Sequence, residues 1–123
     1  MYKDTNCGEP RDTSVGEQIT VAGWVNRRRD HGNLIFIDLR DRSGLLQIVF
    51  NPEYGETAHD LAQSLRSEWV VQVTGKVVAR LPGAENPELP TGAVELSVTD
   101  LVILNRSITP PFEVSDDVEV DAN

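Results

Sequence analysis

The sequence predicts an all-β fold, a small barrel of five strands with one short helix, and three observations carry that prediction. Apolar residues recur with a period of two through most of the chain, as they do in strands with one buried face. One stretch, between Pro52 and Glu68, changes to helical spacing. Glycines Gly23 and Gly75 interrupt strand-like runs at points where a small closed barrel has to bend. At 123 residues the chain suits one domain of ordinary size, with no internal repeat to divide it.

The first strand is read over Ile19 to Arg28, where Val21, Gly23 and Val25 share one side and Thr20, Ala22, Trp24 and Asn26 the other. A polar turn at Asp30-His31-Gly32-Asn33 leads into LIFIDLR. There Ile35, Ile37 and Leu39 alternate with Leu34, Phe36, Asp38 and Arg40. Asp41-Arg42-Ser43-Gly44 has hairpin-turn composition, so the second strand should pair antiparallel with LLQIVF, whose faces are Leu46, Ile48, Phe50 and Leu45, Gln47, Val49. In the helical stretch Ala58, Leu61, Ala62 and Leu65 form the apolar stripe, with Thr57 and Asp60 spaced like a capping box. A fourth strand, WVVQVTGKVVAR, is followed by the proline-rich loop Leu81 to Gly92 and a fifth strand, VELSVTDLVIL. Three strands, a helix and two strands is the order of the Greek-key OB barrel. In that fold the helix joins strands three and four, and the face of strands two and three binds oligonucleotides or oligosaccharides. The barrel is expected over residues 1–108, with an acidic linker over 109–123 that leads on toward a domain not contained in this sequence.

A net charge of -9 argues at first against nucleic acid, because phosphates need clustered Lys and Arg. The distribution reverses that. Trp24 to Phe50 hold five arginines against three aspartates, whereas Leu81 to Asn123 hold one arginine against nine acidic residues. The average conceals a local basic patch. No apolar run reaches the roughly eighteen residues of a membrane span, and the first twenty residues lack a signal-peptide core, so a soluble, cytoplasmic protein is expected. A single cysteine, Cys7, excludes an internal disulfide and reads as a packing residue. His31 and His59 are too isolated for catalysis or metal binding and read as surface residues. No phosphate-cradling glycine loop or nucleophile elbow is present.

Alternation places Phe36 outward among charges, where an aromatic ring can stack a single-stranded base for roughly 1 to 3 kcal/mol. Gln47 and Glu95 face the same way and can read a base edge. The amide donates and accepts; the carboxylate only accepts, which favours a base with an exposed amino group. Arg27, Arg28 and Arg29 at the exit of the first strand, and Arg80 before the proline-rich loop, can reach phosphates or stack on bases. Each feature also has a plainer reading. Phe36 can be covered by another domain, Gln47 and Glu95 can be solvated strand residues, and the arginines can guard a strand edge.

The stretch GWVNRRRDHGNLIFIDLRDRSGLLQIVF resembles the N-terminal anticodon-binding domain of bacterial aspartyl-tRNA synthetases. The likeness continues through LRSEWVVQVTGKVVAR, NPELPTGAVEL and TPPFEV, covering Cys7 to Val114. The resemblance implies that the domain grips the GUC anticodon loop of aspartate tRNA. Phe36 matches the aromatic that stacks on the middle base, and Arg29, Gln47 and Glu95 match base-reading positions. Arg80 and Asn86 fall in or beside the loop that closes over the first base; Arg27, Arg28 and Asp30 are weaker matches. His31 and Gly83 resemble the relaxed form that also charges asparagine tRNA. Family members continue into a class II catalytic domain that uses ATP and Mg2+ and carries most of the homodimer contacts. None of its motifs is here, so this chain alone is expected to bind tRNA, without cofactor, and not to aminoacylate. Two other classes remain open: a free-standing OB protein that coats single strands, and a protein-interaction domain.

Overall fold

Five strands and one helix form in the computed structural model, which describes residues 3–105. The expected linker at 109–123 and the end of the expected 1–108 domain lie outside the described residues. The elements are β1 (Gln18–His31), β2 (Leu34–Asp41), β3 (Gly44–Phe50), α1 (Glu56–Ala62), β4 (Val70–Ala79) and β5 (Val94–Asn105), after a 3-10 turn at Asp12–Ser14. They close into a barrel in the order β1-β2-β3-β5-β4. Every pairing is antiparallel except β3 with β5, which meet in parallel through Ile48↔Leu96 and Val49↔Ser97. This is the expected OB barrel, with its helix between β3 and β4.

β1 is longer than its sequence pattern suggested because it serves two partners. Gln18 to Trp24 pair with β4, and Trp24 to His31 pair with β2. The predicted four-residue turn therefore shrinks to Gly32-Asn33, with Gly32 at φ 63. Gly23 and Gly75 sit where neighbouring strands come too close for a side chain: a Cβ would strike the Arg40 carbonyl in one case and the Ser97 carbonyl in the other.

Ile35, Ile37 and Leu39 from β2, Leu46, Ile48 and Phe50 from β3, and Val71, Val73 and Val77 from β4 all point into one core. Each such side chain contributes about 1.5 to 3 kcal/mol on burial. Ala58, Ala62 and Leu65 seal the core from the helix side. The expected Thr57–Asp60 capping box does not form. Gly55 is the N-cap, with no side-chain bond, because the chain there lies against the backbone of Val98 and Thr99. Cys7 is fully buried, where burial foremost and the neighbouring Asp41 push its thiol pKa up. Its amide donates to Asp41 Oδ2 at 2.9 Å, while Asp41 Oδ1 accepts from the Ser43 amide and hydroxyl. Burial of Asp41 opposes its ionisation, but those hydrogen bonds prevail and hold its carboxyl below the usual value. Among the described residues no helix is long and apolar enough to cross a membrane.

Candidate nucleic-acid interface

Simple alternation along β1 would turn Arg27 and Arg29 into the barrel, since Val21 and Val25 face the core. A bulge prevents this. The register with β2 shifts between Val25↔Leu39 and Arg27↔Asp38, so Asn26 is the extra residue. Beyond it the parity reverses, placing Arg27 opposite Asp38 and Arg29 opposite Phe36 on the outer face, with Arg28 opposite the buried Ile37. The outer face thus gains two arginines, of which Arg29 is paired with Phe36.

There a chain of hydrogen bonds crosses four strands. Arg29 Nη2 donates to Asp38 Oδ1 at 3.1 Å and to Gln47 Oε1 at 3.0 Å, and Gln47 Nε2 donates to Glu95 Oε1 at 2.7 Å. Arg29 Cζ lies 5.9 Å from the Phe36 ring centroid, within cation-π range. Gln47 is on the outer face as its alternation requires, yet only 7% exposed, because Arg29 and Glu95 bracket it. Four of the predicted site residues, on β1, β2, β3 and β5, therefore stand side by side. The arrangement offers a stacking surface, a cationic donor, an amide of both kinds and a carboxylate acceptor. A base edge would exchange these internal bonds for its own, so the net gain per bond is about 0.5 to 1.5 kcal/mol and stacking supplies much of the affinity.

Arg80, read from sequence as a residue that can reach phosphates or stack on bases, is held mostly within the protein. It is 8% exposed, with Nε donating to the Val94 carbonyl at 3.0 Å and Nη1 reaching the Ala84 carbonyl at 3.5 Å. Burial lowers its pKa, opposed by the charges of Glu95 and Asp38 and reinforced by Arg29, which puts it at the margin of the same cluster. The loop it braces is tied by backbone bonds between Asn86 and Gly92 and between Leu89 and Asn86. Asn86 Oδ1 accepts from the Glu88 amide, and Gly83, at φ 88, donates its amide to Glu85 Oε1. Thr91 was not singled out by sequence, but its hydroxyl donates to the Leu45 carbonyl at 2.6 Å and pins this loop to β3.

Arg28 and Asp30 face away from the four-strand cluster. Arg28 Nε and Nη2 grip both oxygens of Asp30 at 2.8 and 3.0 Å, and Nη1 donates to the carbonyls of Ala62, Gln63 and Leu65 at the end of α1. The hydrogen bond to Asp30 raises the arginine's pKa and lowers the aspartate's. His31 is exposed at the hairpin tip. His59, expected as a surface residue, bonds through Nε2 to the Asn33 carbonyl at 2.7 Å. A helical histidine facing a turn 26 residues away leaves no local trace in sequence.

A barrel of this topology with an aromatic ring and polar side chains on one face has the build of a nucleic-acid-binding module. Residues 19–104 match the tRNA anti-codon family, an OB-fold nucleic acid binding domain, and the chain belongs to that family. It is 58% identical over 112 residues to the aspartate-tRNA(Asp/Asn) ligase of Protochlamydia amoebophila, covering 91% of this chain and 19% of that protein. It is 52% identical over 123 residues to the ligase of the same name from Desulfatibacillum aliphaticivorans, covering 100% of the chain and 21% of that protein. The chain thus spans about a fifth of the length of the curated relatives it matches. Among solved structures, asparaginyl-tRNA synthetase from Pyrococcus horikoshii complexed with asparaginyl-adenylate superposes with a TM-score of 0.73 at 27% identity, covering 92% of this chain and 25% of that one.

Proposed function

We propose that this domain reads the anticodon loop of aspartate tRNA, bases GUC, and accepts the GUU loop of asparagine tRNA as well, serving an aspartate-tRNA ligase. The observation that carries this reading is the cluster of Phe36, Arg29, Gln47 and Glu95 on one outer face, an arrangement suited to stacking one base while reading the edges of its neighbours. The names of the two relatives, each an aspartate-tRNA(Asp/Asn) ligase, support the relaxed choice of tRNA. In the whole ligase a catalytic body uses ATP and Mg2+ to join aspartate to the tRNA, acts in the cytoplasm and forms the homodimer. The present chain supplies recognition, needs no cofactor and does not aminoacylate alone.

The test is an NMR titration of the labelled 123-residue chain with anticodon stem-loops on the order of 17 nucleotides, long enough to present a single-stranded loop. Three loops are compared, carrying GUC, GUU and an unrelated triplet. Shifts concentrated at Phe36, Gln47 and Glu95 with GUC and GUU, and absent with the third, are expected. A response to GUC alone would remove the relaxed specificity. Equal response to all three would replace the anticodon reader with a general single-strand binder, and no response to any would reject RNA reading by this domain.

A further inference from the structure

The bulge at Asn26 decides which arginines share the Phe36 face, and a bulge is a place where a strand can slip. A slip of one residue beyond Val25 would carry Arg29 off the Phe36 side and put Arg28 there instead. Strand pairing alone guards weakly against this. The tip of the hairpin has little apolar surface, since Asn26, Arg27, Arg29, Asp30 and His31 are all exposed.

Two side chains tie this tip to α1 from opposite directions. Arg28 reaches from the strand to the helix, where one nitrogen meets the carbonyls of Ala62, Gln63 and Leu65 at 3.2, 3.0 and 2.9 Å. Those are carbonyls in and just beyond the last turn, at the negative end of the helix dipole, so a guanidinium suits them; the Ala62 carbonyl also accepts from the Leu65 amide at 3.1 Å. Asp30, two residues on, holds the other edge of the same guanidinium and fixes its plane. His59 reaches from the helix to the hairpin and bonds the Asn33 carbonyl in the two-residue turn. The helix itself is anchored in the core through Ala58 and Ala62, followed by Leu65. It is a fixed reference against which the tip can be held.

We propose that Arg28 and His59 are positioning residues for anticodon recognition: together they clamp the β1–β2 tip to α1 and so lock the register that presents Arg29 beside Phe36. Neither residue touches the RNA. The proposal rests on the anticodon-reading function above. It also makes a claim about the free chain that holds or fails separately. Arg28 is the stronger half, because its charged donor meets several acceptors at once, whereas His59 makes a single bond to a backbone oxygen. Lysine cannot reproduce a planar fork that grips Asp30 and the helix end together, so Arg28→Lys should restore only part of the effect.

The experiment compares the 123-residue chain with Arg28→Gln, Arg28→Lys, His59→Leu and His59→Gln in two readouts. The first is amide hydrogen exchange without RNA. Arg28→Gln should speed exchange across Arg27 to Phe36 by about tenfold relative to the β4–β5 ladder, with His59→Leu following more weakly and the two conservative variants in between. The second is the ratio of affinities for the GUC and unrelated stem-loops, which should narrow about three- to tenfold in Arg28→Gln while the chain remains folded. Exchange that rises equally everywhere, or a lowered Tm with an unchanged affinity ratio, would overturn the proposal and leave Arg28 a general stabiliser. A wild-type chain that ignores all three stem-loops would defeat the anticodon reading, while local exchange at the tip would still decide whether the clamp exists. Should Arg28→Gln fail to fold, Arg28→Lys and His59→Leu carry both readouts.

Discussion

A long ladder joins β4 to β5 from Val70↔Asn105 to Ala79↔Val94, with register shifts between Val70 and Val71 and between Thr74 and Gly75, and the side chains it turns inward, Val71, Val73, Val77, Leu96 and Val98, are packed in the core. The far end of the β1–β2 hairpin is built from other material: three arginines, an aspartate and a histidine, attached to the rest by directional bonds to α1 and across the outer face. In the first region stability comes from buried area, which tolerates small displacements. In the second it comes from hydrogen bonds whose partners must stay within a few tenths of an ångström. The groups that could meet a ligand are concentrated in the second. The division lets the proposed reading face be polar and exchangeable while the barrel wall behind it stays fixed.

Variants that separate stability from binding can sharpen or break this comparison. The largest expected effect is on the wall. Phe50→Ala, at a fully buried ring, should cost about 3 to 5 kcal/mol in urea unfolding, enough to unfold much of the population. A cost below about 1 kcal/mol would mean the core is not where stability resides. Next comes the reading face. Phe36→Ala should lose about 1 to 3 kcal/mol of affinity for the GUC stem-loop, measured by fluorescence anisotropy, with little change in Tm. An equal fall in Tm would merge the two regions that the structure separates.

The smallest effect is electrostatic and lies at the opposite end of the hairpin. Asp41 has a folded pKa depressed below its unfolded value, so its contribution is fully present above about pH 4 and is lost as pH falls through the folded pKa. Asp41→Asn should lower stability at pH 7 by about 1 kcal/mol or less, because the group is partly exposed and its hydrogen bonds are only partly replaced. The difference between variant and wild type should shrink below pH 4. Thermal unfolding across about pH 2 to 7 measures this. A difference independent of pH would assign the effect to Asn packing and not to the charge.

Much of the barrel was legible because its information is local. Ile35, Ile37 and Leu39 alternate with Phe36 and Asp38 within one strand, so a period of two suffices to say which residues are buried. Phe36, Gln47 and Glu95 fell on the outer face by the same reasoning, without any knowledge of which strands touch. The Thr57–Asp60 spacing misled because a cap depends on what packs against the helix start, and there Gly55 lies against β5. The bonds of Arg80 to the Val94 and Ala84 carbonyls left no sign in sequence, because the sequence cannot show that the loop after it folds back onto its guanidinium.

By itself, then, the sequence determined the number and order of the strands, the buried faces of β2 and β3 and the basic patch on the first hairpin, since all of these follow from periodicity and composition along the chain. Tertiary structure decided what depends on neighbours distant in sequence: the parallel β3–β5 closure that brings Gln47 to Glu95, and the single extra residue at Asn26. That bulge separates two adjacent arginines that look alike in sequence. Arg28 is committed to the end of a helix, and Arg29 is left beside Phe36 on the outer face, because a change of one residue in register exchanges the two sides of a strand.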